Sequence, residues 1–225
     1  MNFLCISTSE SITSVALSWG EHEDQISFDK KKFPTSETLI EKIDELLSLC
    51  HIERETIAGI GVNIGPGSFT GTRIGVATAN GLGFGLRVPV AGFSSLDLIA
   101  EEWVSKNKNH EGKMLTAIDA GRKQFFAAFY EIQNGILKKI GPDALWDRTD
   151  FIQSSLKLPL AGWQLETGEI PFEPICPSAL SCLHMLKQSA KLSFPSFVVP
   201  NYIRATDAEN KKISPFGRND NSNVV

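Results

Sequence analysis

Positive charge is in short supply in this chain: 22 Lys and Arg stand against 26 Asp and Glu, a formal net charge of −4. Phosphate backbones are gripped by concentrated Lys and Arg, so this balance argues against a protein that holds nucleic acid by itself. The one basic run, Lys30–Lys32, is short and flanked by Asp29 and Phe33, as on a solvated turn. Histidine is scarcer still. His22, His51, His110 and His184 lie far apart in sequence, whereas two imidazoles that share one metal ion normally sit about one helical turn apart. Cysteine is sparse too: Cys5, Cys50, Cys176 and Cys182 form no CxxC pair and no zinc spacing. Cys5 and Cys50 sit in apolar contexts, as small buried residues do. No segment reaches the roughly 18 apolar residues of a membrane span, and "MNFLCISTS" lacks the basic start of an export signal. The expectation is a reduced, soluble, cytoplasmic protein with no membrane contact and no metal of its own.

Hydrophobic residues make up 42% of the 225, enough to bury one large core or two small ones. "FLCIS" (3–7), "SVALSW" (14–19) and "QISFDK" (25–30) read as three strands with tight turns. A helix follows over 36–50, with "PTSE" as its start. "IAGIGVNIG" (57–65) is a buried strand, then come a glycine-rich helix, a short strand "RVPVAG" and a helix from Ser94 or Ser95 to about Ser105. The second half repeats the order: strands at 114–120, 125–132 and 135–141, a helix near 149–156, a strand at 158–162 and an amphipathic helix over 177–190. This predicts an α/β chain built by duplication, two sheets each covered by helices. The expected division is 1–110 and 111–216, with 217–225 a polar, disordered tail.

The stretch "GPGSFTGTRIGVATANGLGFGL" (65–86) puts Gly65, Gly67, Gly71, Gly75, Gly81, Gly83 and Gly85 into a segment with helical apolar spacing. Each glycine inside a helix costs about 0.5–1 kcal/mol relative to alanine. A phosphate cradle is one reading, since a glycine loop at a helix N-terminus suits an anion. The P-loop requires Lys where Thr72 stands, and the dinucleotide fingerprint requires Gly where Thr70 stands. A second reading is architectural: Gly65, Pro66 and Gly67 turn the chain out of the strand, and Ser68 or Thr70 caps the helix. A third is close approach, because Gly71, Gly75, Ala79 and Gly83 form a small-residue stripe against which another backbone can pack. On the preceding helix Leu39, Ile40, Ile43, Leu46, Leu47, Leu49 and Cys50 cover about half the circumference, beyond the roughly 100° that one core needs. That width favours a protein partner over an internal wedge.

The same residues resemble the TsaB (YeaZ) family. "GPGSFTGTRIGVATANGLGFGLRVPVAGFSSLDLIA" is similar to that family's signature. The similarity continues in "FLCISTSESITSVAL", "PTSETLIEKIDELL", "AIDAGRKQFFAAFYE" and "PNYIRATDAE", over about 3–209. The resemblance implies the duplicated actin, hexokinase and Hsp70-like fold and a part in making threonylcarbamoyladenosine in tRNA. It also implies a catalytic paralogue, TsaD, that binds metal and nucleotide, and an ATPase, TsaE. TsaB itself is then a non-catalytic scaffold that touches tRNA only through the complex and homodimerises when alone. It carries no cofactor, any nucleotide lying at a partner interface. The partner surface falls on the two helices described above, at Leu39, Ile40, Ile43, Leu47, Gly71, Ile74, Gly75, Thr78, Ala79 and Leu82.

Two departures weigh against chemistry by this chain alone. Where the resemblance implies the catalytic paralogue's histidine pair, Ala100, Glu101 and Trp103 stand here. Where ATPases of the fold place an aspartate in the first hairpin, to meet a metal-bound phosphate, this chain has Ser7. The alternative of an independent ATPase or kinase therefore lacks its carboxylate. A peptidase lacks a nucleophile–base pair, since Ser7, Ser9 and Ser11 have no histidine in their motif. Asp119 and Arg122 offer either a polar contact near an interdomain cleft or a partner, or a hairpin turn with a capping aspartate, and the turn is the favoured reading. Tyr202 and Arg204 could pin the C-terminal segment to the body or meet tRNA; packing is favoured, since one arginine makes no phosphate-binding surface.

Overall fold

The computed structural model describes residues 1–155, 158–165, 170–188 and 197–204. The expected tail at 217–225 lies outside them. β1 (Asn2–Ser7), β2 (Ile12–Trp19), β3 (His22–Asp29), β4 (Ile57–Asn63) and β5 (Val90–Phe93) form one sheet in the order β3-β2-β1-β4-β5. β6 (Gly112–Gly121), β7 (Gln124–Gln133), β8 (Ile136–Asp147), β9 (Leu160–Trp163) and β10 (Glu173–Pro174) form the other, in the order β8-β7-β6-β9-β10. In both, the first three strands pair antiparallel and the last two join in parallel. The duplication expected from sequence is therefore present, as two mixed α/β sheets with the same strand order and pairing. β10, too short for any periodicity, was not foreseen, and β8 runs six residues past its expected end at 141.

The helices are α1 (Thr35–Leu49), α2 (Phe69–Leu86), α3 (Ser95–Lys106), α4 (Arg148–Ser155) and α5 (Ala179–Gln188). Strand residues alternate between faces, so β1 sends Leu4 and Ile6 under α1 and α2 and Cys5 towards α5. At β1 and β4 both faces of the first sheet are thus buried, which explains the unbroken apolar run "IAGIGV" at 57–62. α3 packs on the second sheet, where Leu96, Ile99 and Trp103 join Met114, Ile118 and Tyr130. α5 packs on the first. Each sequence half lends its last helix to the other half's neighbourhood, so α3 and α5 become the joint between the sheets.

Local chemistry sets the helix ends. Ser68 caps α2, its Oγ accepting from the Gly71 N–H at 3.3 Å, and Ser94 caps α3, accepting from the Leu96 N–H at 3.2 Å. α2 stops at Arg87, which takes the left-handed conformation (φ 58°) usually left to glycine. The strand expected from Arg87 onward consequently begins only at Val90.

Candidate functional site: the interdomain cleft and the outer helical face

The hairpin turns of the two sheets face each other across a cleft of about 770 Å³. The first turn is covered. Ser7, Thr8 and Ser9 are fully buried and Glu10 nearly so, because the loop before α2 lies over them. Asn63 organises them: its Nδ2 donates to Ser7 Oγ (3.0 Å) and Ser9 Oγ (2.7 Å), and its Oδ1 accepts from Ser95 Oγ (2.8 Å) and the Gly65 N–H (2.9 Å). Ser7 in turn donates to Pro177 O at 3.0 Å, and Thr8 to Gly71 O at 2.7 Å. These hydroxyls are committed to lacing β1, β4, α2 and α3 together. Ser7, where an aspartate is expected from sequence for an ATPase, is a buried structural tie.

Glu10 is the exception to this satisfaction. Its Oε1 is buried with no hydrogen-bond partner among the described residues. A Cβ on Gly67 would lie 2.6 Å from that oxygen and 2.6 Å from Ser9 O, so only glycine lets the loop cover the acid. Burial pushes the carboxyl up to about 8, while the Lys30 ammonium beside it pulls the other way. Cys176 is close enough to feel both charges, and its own burial pushes the thiol up to about 12. This buried acid was invisible in "TSESIT", which reads as an ordinary polar turn. The polar Asn63 at the end of an apolar strand was the one available signal.

The second turn is open. Asp119 Oδ1 accepts from the Gly121 N–H at 2.6 Å, and Gly121, Arg122 and Lys123 all have positive φ. The turn reading of "DAGRK" holds. Tyr202 and Arg204 do pin the C-terminal segment: Arg73 Nε donates to Tyr202 Oη at 2.7 Å, and Arg204 donates to Ala120 O at 2.8 Å and Gln124 Oε1 at 2.6 Å. No cluster of three or more His, Cys, Asp and Glu side chains arranged to hold a metal ion occurs among the described residues, and no helix among them is long and apolar enough to cross a membrane.

The expected partner residues divide into two sets. Leu39, Ile43 and Leu47 on α1 are buried in the first core, as is Ala79 on α2. Gly71 and Gly75 are buried as well. A Cβ at Gly71 would collide with Thr8 O, one at Gly75 with Thr8 Oγ1, and one at Gly83 with Val90. The small-residue stripe is thus an internal feature, a correction to its expected place on a partner surface. It lets α2 press onto the first hairpin and β5. Ile74, Thr78 and Leu82 are half-buried along its border, and of the expected α1 residues only Ile40 reaches solvent freely, at 52% exposure. The face that α2 turns outward is a different one: Phe69, Arg73, Ala77, Gly81, Phe84 and Gly85. Spacing identified the stripe but could not say which of two glycine sets faced inward. Among the described residues nothing lies within 4 Å of where a Cβ on Gly81 or Gly85 would be, and Phe84 is 68% exposed. On α1, Leu49 adds a second exposed apolar side chain, at 63%.

Residues 34–166 match the family model described as TsaD, tRNA N6-adenosine threonylcarbamoyltransferase. The tRNA threonylcarbamoyladenosine biosynthesis protein TsaB of Bacillus subtilis (strain 168) is 28% identical to this chain, over 95% of the chain and 98% of the relative. The protein of the same name from Escherichia coli (strain K12) is 28% identical over 73% of each. Among solved structures, an uncharacterised Pseudomonas aeruginosa protein with similarity to peptidase YEAZ superposes with a TM-score of 0.73 at 21% identity, over 90% of this chain and 99% of that one. YeaZ from Pseudomonas aeruginosa superposes with a TM-score of 0.68 at 20% identity, over 83% and 91%.

Proposed function

Since the chain belongs to the threonylcarbamoyltransferase family, in its TsaB (YeaZ) group, we propose that it serves tRNA threonylcarbamoyladenosine biosynthesis as the non-catalytic scaffold that holds a TsaD-like paralogue. The nucleotide and metal chemistry belongs to that paralogue and to a TsaE-like ATPase. This chain meets tRNA only through the assembly, and alone it pairs with a second copy through the same helices.

One observation carries the reading. α2 keeps glycine at 81 and 85, on its outer face, where nothing among the described residues needs the space. Each such glycine costs about 0.5–1 kcal/mol of helix stability relative to alanine. From Ile74 to Leu86 the helix carries no charge, and the exposed Phe84 stands beside the glycines. Small residues beside an exposed aromatic suit the close approach of another helix, and a desolvated aromatic is a common anchor of interfaces. The hydroxyls of the first hairpin, tied to backbone and to one another, support a structural rather than catalytic role for the cleft.

The test is a mixing experiment with the TsaD-like paralogue of the same organism, read by light scattering and by threonylcarbamoyl transfer to tRNA. A heterodimer is expected, with transfer only in the mixture. Gly81→Leu is expected to fold as the parent does and to lose the complex. Transfer or nucleotide turnover by this chain alone would overturn the scaffold reading. So would unimpaired assembly of the variant, for the α2 face.

A further inference from the structure

The back and the front of the interdomain cleft are held by different kinds of contact. At the back α3 and α5 meet, with Leu98, Leu183 and Leu186 buried between them and the first sheet. At the front, residues 197–204 cross from one subdomain to the other without helix or strand. They are tied first to α2: Asn80 Nδ2 donates to Val198 O at 2.9 Å, and Asn80 Oδ1 accepts from the Val198 N–H at 3.1 Å. Midway, the Asn201 N–H donates to Ile64 O at 2.7 Å and its Nδ2 to Asp143 on β8, also at 2.7 Å. Tyr202 then lies against Phe69, ring centroids 5.2 Å apart, and takes its hydrogen bond from Arg73. Arg204 ends the crossing with its pair of bonds beside the β6–β7 turn. Residues 201–204 all line the cleft.

We propose that this segment is a latch: it closes the front of the cleft, the α3–α5 joint serves as the hinge, and α2 sets it through Arg73 and Tyr202. A packed apolar joint resists separation along its whole area. Part-exposed hydrogen bonds, by contrast, exchange for water at small net cost. Opening therefore starts at the strap. Phe69 and Arg73, which hold Tyr202, belong to the same outward stripe of α2 as Ala77, Gly81 and Phe84. A helix docked on that stripe covers the Tyr202 anchor and holds the latch shut. This last step rests on the docking role proposed for α2; the latch itself does not.

Hydrogen exchange of the full chain separates the two. Arg204→Ala is expected to speed exchange about tenfold at 119–124 and 198–204, with β1, β4 and the centre of β6 unchanged, as in a local opening. Tyr202→Phe keeps the ring, drops the Arg73 bond and is expected to speed the same amides about threefold, as loss of one modest hydrogen bond would. No change in Arg204→Ala, or faster exchange spread evenly over the second sheet, overturns the latch. A Tyr202→Phe variant with unaltered exchange at 119–124 removes control by α2. Adding the TsaD-like paralogue to the parent chain is expected to slow exchange at 198–204. A complex seen by light scattering without that slowing overturns the coupling. Absence of any complex removes the docking role and the coupling with it, while the latch stands or falls on the two variants.

Discussion

The two halves share strand order and pairing, and they part company after their fourth strand. In the first, β4 leads through a glycine loop into the 18 residues of α2. In the second, β9 ends at Trp163 and β10 begins at Glu173, with no helix between them among the described residues. The third-strand connections differ too, 15 residues in α1 against 8 in α4. The second sheet closes that face with rings instead, Phe125 on Phe151 at 4.4 Å and Phe129 edge-on to Trp146 at 5.5 Å. The fold can therefore cover a sheet without a long helix at this place. What α2 adds is a lid on the first hairpin and an outer face free for other contacts. The hairpins register the difference: Thr8, Ser9 and Glu10 are buried under the α2 loop, whereas Gly121, Arg122 and Lys123 are exposed.

The sharpest way to break this comparison is at the lid. Gly71→Val sets a branched side chain against the backbone carbonyl of Thr8, an atom that cannot swing aside. Overpacking typically costs about 1–3 kcal/mol, but losses above about 4–5 kcal/mol arise when a buried site has no room to adjust. The variant is expected at that upper end, yielding little soluble protein or a denaturation midpoint far below the parent's. A modest loss would mean that α2 rests loosely on the hairpin and that the halves differ less than their contacts suggest.

A second measurement sharpens the contrast between covered and open turns. Glu10 ionises near 4.5 when unfolded and near 8 when folded, so the folded chain holds the proton more tightly. The stability due to the neutral acid is complete below pH 4.5 and is lost as the pH rises to 8. Glu10→Gln removes the titration while keeping the shape. Its advantage over the parent is expected to grow between pH 5 and 8, reach on the order of 2 kcal/mol or more, and level off above, since each pKa step is worth about 1.4 kcal/mol. Urea midpoints across that range decide it. A difference flat with pH would mean that water or Lys30 already satisfies the acid.

These contrasts were only partly legible in the sequence. Apolar alternation and turn residues were enough for both sheets, because each strand's face pattern is local. The far end of β8 and the existence of β10 were not, since the extent of an edge strand is set by backbone pairing with its neighbour and not by side-chain periodicity. At the site, the glycine helix and its cap could be read, and so could the Asp119 turn. Which glycines faced inward could not: Gly71 and Gly75 differ from Gly81 and Gly85 only in where the hairpin of residues 8–10 lies, a tertiary fact. Glu10 was hidden for the same reason, its burial being the work of a loop more than fifty residues away.

The smallest effect isolates the surface that has no counterpart among the described residues of the second half. Gly81→Ala adds one methyl to open space within a helix, and it lowers the entropy of the unfolded chain as well. The gain is expected to be about 0.5–1 kcal/mol, or roughly 1–4 °C in Tm for a chain of this size. The complex with the TsaD-like paralogue is expected to weaken at the same time, because a helix that had approached the bare backbone must back away. Opposite signs in the two readouts would mark Gly81 as kept for docking at the chain's own expense. A Tm that falls would instead make the outer glycine a requirement of the fold, and the two faces of α2 would no longer be different in kind.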